Sequence, residues 1–144
     1  MRYIHTLIHK AHNPDLGVLL VRLALGLVFI HAGWFKLTNM DLVINAFAGV
    51  GIPAFLAYTV AYFELLSGLL MAVGIFVRYA GVIIIIIMSV AIWKAHWIHG
   101  YGLQNGGYEY ALTLLILAIS MITTGAGKYA LKTWVNDYFQ VKNN

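Results

Sequence analysis

The stretch PAFLAYTVAYFELLSGLLMAVGIFV, residues 53–77, contains one acid, Glu64, and no base. As a helix rising about 1.5 Å per residue it is long enough to cross the roughly 30 Å hydrocarbon layer of a bilayer. Inside lipid a lone strand leaves its backbone groups unsatisfied, so a run of this kind is helical whatever its β-propensity. Glu64 then lies at bilayer depth. A carboxylate is costly there and normally has a partner or a chemical role.

Three further apolar runs flank this one: Gly17 to Phe35, Tyr79 to Trp97 with five isoleucines at 83–87, and Gly107 to Gly125. The chain has 144 residues, 62% hydrophobic and 10% charged. A soluble domain carries about 25% charged residues. The predicted fold class is therefore all-α, a four-helix bundle embedded in the membrane as one domain over residues 1–144. With no cysteine, disulfides, thiolate metal sites and CxxC redox chemistry are excluded for this chain. The net charge of +4 does not point to nucleic acid, because the basic residues collect at the ends of apolar runs, as membrane topology requires.

Those charges also predict orientation. Arg2, Lys10, Arg78, Lys128, Lys132 and Lys142 fall on one side, with Lys36 and Lys94 towards the other. By the positive-inside rule both termini are expected in the cytoplasm. Trp34, Trp93, Trp97, Tyr101 and Tyr108 would form an aromatic belt at the outer surface. The second and third spans are expected to form a tight hairpin at Arg78. Residues 36–52 and the glycine-rich 98–106 are read as loops, and 126–144 as a cytoplasmic tail. The first fifteen residues lack the compact apolar core of a signal peptide. They read as an interfacial helix ended by Asn13-Pro14-Asp15, with His5, His9 and His12 on one face.

Helical spacing of about 100° per residue predicts which faces turn inward. These are Arg22, Gly26, Phe29, Gly33 and Lys36 on the first span and Val60, Glu64, Gly68, Met71 and Ile75 on the second. On the third they are Ser89, Trp93, His96 and Gly100, and on the fourth Glu109, Thr113, Ile116, Ser120 and Thr124. Glu64 lies roughly 16 Å below the outer end of its span, and Arg22 about one turn deeper. An Arg22–Glu64 ion pair is therefore predicted, either as a structural lock or as a proton-coupling pair. Arg78 is roughly 21 Å from Glu64 along the helix, too far to pair. A second polar group, Lys36, His96, His99 and Glu109 beside Trp93 and Tyr108, marks a pocket mouth, with Met71 deeper. His96, His99 and Glu109 are also the weak candidates for a metal site.

These residues carry a family resemblance. RLALGLVFIHAGWFKL at 22–37, Gly51-Ile52-Pro53, Glu64-Leu-Leu-Ser-Gly68, the Gly74–Arg78 segment, His96-x-x-x-Gly100, GGYEYALTLL at 106–115 and GAGKYAL at 125–131 together resemble the DoxX family of small four-span membrane proteins. The resemblance covers roughly residues 17–133. It departs where Ala126 stands for a usual proline, Lys132 for a usual acid and Ser67 for a frequent glycine. It implies a prokaryotic cytoplasmic (inner) membrane location. It also implies a link to sulfur or thiol redox chemistry with quinone as acceptor, or to quinone and catechol response.

The leading expectation is a redox membrane component that binds a quinone or another small amphipathic molecule within the bundle. Glu64 and Arg22 would couple protons, and Lys36, Trp93, His96, Glu109 and Met71 would line the ligand site. Its electrons would come from a partner redox subunit or a bound cofactor. Membrane lipids and a second copy of the chain are the other expected partners. The alternatives are a non-catalytic accessory or assembly subunit, whose glycine faces dock a partner, and a small transporter or lipid-binding protein. Spans without breaks or inverted repeats argue against an autonomous transporter.

Overall fold

The computed structural model describes residues 13–131 and 133, all of it helices and turns. The first helix, α1, runs Pro14–Thr38. Its start is written in the sequence: the Asn13 side chain accepts a hydrogen bond from the Leu16 amide at 3.1 Å, and Pro14 occupies the first turn, where its missing N–H costs nothing. The expected interfacial helix and the His5, His9 and His12 stripe lie outside the described residues.

Residues 36–52 are not the loop expected. They include a second helix, α2, Met40–Gly49. At 10 residues it is too short to cross a bilayer, so a search for spans passes over it. Gly51, at φ +74°, then turns the chain into Pro53. Helix α3, Ala54–Val73, ends at Gly74 (φ +83°), whose amide donates to the Leu70 carbonyl at 2.9 Å. This left-handed glycine cap stops the span at Val73 rather than Val77. The hairpin thus turns at residues 74–76, and Arg78 lies inside the next helix.

Helix α4, Val77–Ala91, continues through a π turn, Ile92–His96, and a 3₁₀ turn, Trp97–His99. A 3₁₀ turn at Leu103–Asn105 leads to α5, Glu109–Thr124. Among the described residues, three helical segments are long and apolar enough to span a membrane: Pro14–Thr38, Ala54–Val73 and Val77–His99. At 16 residues, α5 is shorter.

Packing is closest between α1 and α3, followed by α4 with α5. Glycine makes the first contact possible. A Cβ on Gly33 would lie 2.5 Å from the Leu65 nitrogen, and one on Gly68 would lie 2.5 Å from the Ile30 nitrogen. Gly26 faces Gly68 and Ala72, whereas Gly33 faces Ala61 and Leu65, so the two helices run antiparallel. In lipid, association depends on such close backbone approach rather than on escape from water. Gly26, Gly33 and Gly68 are consumed in this contact and offer no free docking face.

The inward faces of α1 and α3 are as expected: Arg22, Gly26, Phe29, Gly33, Glu64, Gly68 and Met71 are all buried. Those of α4 and α5 are not. The buried positions are Val77, Ala80, Gly81, Ile84 and Met88 on α4 and Ala111, Leu114, Ala118 and Met121 on α5. Ser89, Thr113 and Thr124 face outward, Trp93 is 69% exposed and Ile116 is 56% exposed. The reason lies in local hydrogen bonding. The Thr113 hydroxyl donates to the Glu109 carbonyl at 2.9 Å and Thr124 to the Ser120 carbonyl at 2.8 Å. Once satisfied by its own helix, a hydroxyl need not face the interior.

Candidate functional site

The cation paired with Glu64 is Lys36, not Arg22. Lys36 Nζ donates to Glu64 Oε2 at 2.5 Å, and the side chains are 22% and 4% exposed respectively. The helix register explains the exchange. With Gly33 set against Ala61 and Leu65, Glu64 lies level with Gly33, and Lys36, one turn further along α1, reaches back to it with a side chain that tilts toward the helix N-terminus. Arg22 is carried to the other end of α3, where its guanidinium packs on Gly74. The Ser67 hydroxyl donates to the Glu64 carbonyl at 3.1 Å, closing the turn below the pair.

Arg22 instead clasps the segment after α5. Its Nη2 donates to the Tyr129 carbonyl at 2.9 Å and its Nη1 to the Ala126 carbonyl at 3.3 Å. The Asp15 carboxylate accepts from the Lys128 amide at 3.1 Å, and the Asn13 side-chain amide donates to the Tyr129 hydroxyl at 3.2 Å. These four bonds tie the GAGKY segment to the start of α1. Arg22 is thereby separated from the Glu64 site and acts as a structural anchor. Because the acceptors are backbone carbonyls, no sequence pattern marks them.

Beside the ion pair lies a cavity of about 1190 Å³. Its wall is mostly apolar, drawn from α1 to α5 and including Phe29, Phe63, Ile87, Ala111 and Leu114. Its polar members are Lys36, Glu64, His31, Thr59, Lys94, His96 and Tyr110. Leu27, Phe63, Ile86 and Val90 belong to the same wall yet are exposed on the outside of the bundle, so the cavity reaches the lipid-facing surface between helices.

The predicted ligand residues divide into two groups. Lys36, Glu64 and His96 come together on this cavity. Trp93 points outward, with Lys94 Nζ 4.4 Å from its ring centroid. Met71 is fully buried in the core and does not line the cavity. Glu109 holds the chain rather than a ligand, accepting from the Leu103 amide at 3.1 Å. His96, His99 and Glu109 do not assemble into a group able to hold a metal ion among the described residues. His31, Lys94, Thr59 and Tyr110 were not among the predicted ligand residues. His31 lies off the Arg22 face and stays exposed while bordering the cavity.

A family model described as DoxX matches residues 17–97. The Bacillus subtilis protein named "Putative oxidoreductase CatD" is 31% identical over 134 residues, 90% of this chain and 92% of that one. An "Uncharacterized protein" of Haemophilus influenzae is 31% identical over 93 residues, 64% of this chain and 62% of its own length. No solved structure matches the chain. The matched region contains most of α1 and all of α2, α3 and α4, and with them the Lys36–Glu64 pair: the chain belongs to the DoxX family of membrane proteins.

Proposed function

We propose that the protein is a redox component of the prokaryotic inner membrane that binds a quinone or a related amphipathic ring compound in the cavity beside Lys36 and Glu64. One observation carries this reading: a large apolar cavity, open towards the lipid, with a buried ion pair on its wall. Ligand sites of this kind combine apolar walls with a few fixed polar groups, and intramembrane ionisable groups mark proton and substrate paths. Conversion of a quinone to a quinol takes up two electrons and two protons. Lys36 and Glu64 place an amine and a carboxyl group 2.5 Å apart, suited to hold the ring oxygen and relay a proton to it. The chain has no cysteine, so its electrons come from a partner subunit or a bound cofactor. The B. subtilis relative's name, which describes an oxidoreductase, supports the same reading.

In this proposal α5 is the fourth crossing and both termini lie in the cytoplasm, in keeping with Arg78 and Lys128 on that side. The test is equilibrium binding of a short-tailed quinone to the purified protein in mild detergent. Saturable binding is expected, weakened at least fivefold in Glu64→Gln with the fold retained, one charged hydrogen-bonding group being worth about 1.5–3 kcal/mol. Absence of saturable binding to the unmodified protein rejects the proposal.

A further inference from the structure

His96 sits at the end of the π turn Ile92–His96. Such turns insert an extra residue per turn and re-aim the side chains that follow. Here the ring reaches the cavity wall, while its Nδ1 lies 2.7 Å from the Gly106 carbonyl oxygen. A carbonyl only accepts, so the hydrogen of that bond belongs to Nδ1. In the neutral ring this leaves Nε2 without a hydrogen and with its lone pair available. Among the described residues no side chain or backbone group hydrogen-bonds Nε2. Gly106 is itself held in place: at φ +77° it adopts a backbone that favours glycine, and its amide donates to the Leu103 carbonyl at 2.9 Å.

We infer that the Gly106 carbonyl fixes the His96 tautomer so that Nε2 serves as a hydrogen-bond acceptor at the cavity wall, favouring ligands whose ring carries a hydroxyl. Lys36 and Lys94 have only N–H groups, and of the Glu64 oxygens Oε2 is engaged by Lys36 while Oε1 remains a second acceptor beside the pair. The Thr59 hydroxyl donates to the Phe55 carbonyl at 3.0 Å. A quinol therefore finds a partner for each ring oxygen: one hydroxyl oxygen accepts from Lys36, and the other hydroxyl donates to His96 Nε2. This rests on the quinone-site proposal and sharpens it: the quinol, which can donate, binds better than the quinone, which cannot. His96 is a specificity-determining residue in this scheme.

Two measurements test it. The first is nitrogen NMR of the unmodified protein labelled at histidine, which reads the tautomer without any substitution. His96 is expected with its hydrogen on Nδ1, and a hydrogen on Nε2 in the neutral ring overturns the inference. The second is binding of a short-tailed quinol, its dimethyl ether and the matching quinone. His96→Asn keeps a side-chain N–H near Nδ1 for the Gly106 carbonyl but has nothing in place of Nε2. It is expected to bind the quinol about fivefold more weakly, the worth of one hydrogen bond, with the quinone and the dimethyl ether unchanged. Equal quinol affinity in His96→Asn and the unmodified protein overturns the inference while leaving the quinone site standing. If the unmodified protein binds none of the three ligands, the quinone-site proposal fails as well.

Discussion

Glu64 is a carboxylate inside an apolar helix with one cation, Lys36, at 2.5 Å. Removing one partner of a buried pair leaves the other charge uncompensated, which costs about 3–5 kcal/mol. Lys36→Met is therefore expected to lower stability in detergent by about 3 kcal/mol, at the lower end because Lys36 keeps some exposure. Lys36→Met combined with Glu64→Leu should recover most of that loss. Arg22 behaves differently. It anchors the Ala126 and Tyr129 carbonyls and shares no partner with Glu64, so Arg22→Gln and Glu64→Gln should add to within about 0.5 kcal/mol. A thermal-unfolding double-mutant cycle checks both statements. Strong coupling of Arg22 to Glu64 would contradict the pairing described above. The sequence identified Glu64 as the group needing a partner, since its burial follows from the apolar run around it. It did not identify Lys36, because the choice between two cations on one helix face depends on register, which no single helix carries.

At the scale of the element, glycine sets that register. Gly33 has no room for a Cβ against the Leu65 backbone, whereas Gly17 has nothing within 4 Å of where one would stand. Gly33→Ala is expected to push α1 from α3 and cost about 1–3 kcal/mol, as overpacking does. It should also weaken the Lys36–Glu64 contact one turn away. Gly17→Ala should be neutral or slightly stabilising, since alanine is the better helix former by about 1 kcal/mol. Unfolding in mild detergent compares the two, and equal effects would remove the glycine contact as the source of register. Legibility varied by element. The start of α1 could be read from Asn13-Pro14, and the apolar lengths of α1, α3 and α4 from composition. Helix α2 was missed because a 10-residue helix leaves no span-length signal. The faces of α4 and α5 were misread because polarity was taken to mark the interior. In lipid an apolar side chain gains little by turning inward, and Thr113 and Thr124 satisfy their hydroxyls on their own helix.

For the whole molecule, the number of bilayer crossings turns on α5. At about 1.5 Å per residue α5 covers roughly 24 Å, short of the roughly 30 Å hydrocarbon core. Local thinning accommodates such a mismatch at a modest cost. If α5 crosses, Asn105 and Lys128 lie on opposite sides. The chain has no cysteine, so single cysteines can be introduced at Asn105 and Lys128 without background. In intact cells a membrane-impermeant maleimide is expected to label Asn105→Cys and to spare Lys128→Cys until the membrane is opened. Labelling of both from outside would reduce the count to three crossings.

The sequence by itself determined that this chain is helical and membrane-embedded, because a backbone in lipid must satisfy its own hydrogen bonds and leaves few alternatives. It also determined family membership and the anomaly at Glu64. Only the tertiary structure decided that Lys36 rather than Arg22 answers Glu64. It also showed that Arg22 ties down the segment after α5, and that His96 reaches a cavity while Trp93 faces away. Those outcomes follow from close glycine contacts and from a π turn. Both act over single ångströms between helices, whereas the apolar pattern of a span fixes only that the helix exists.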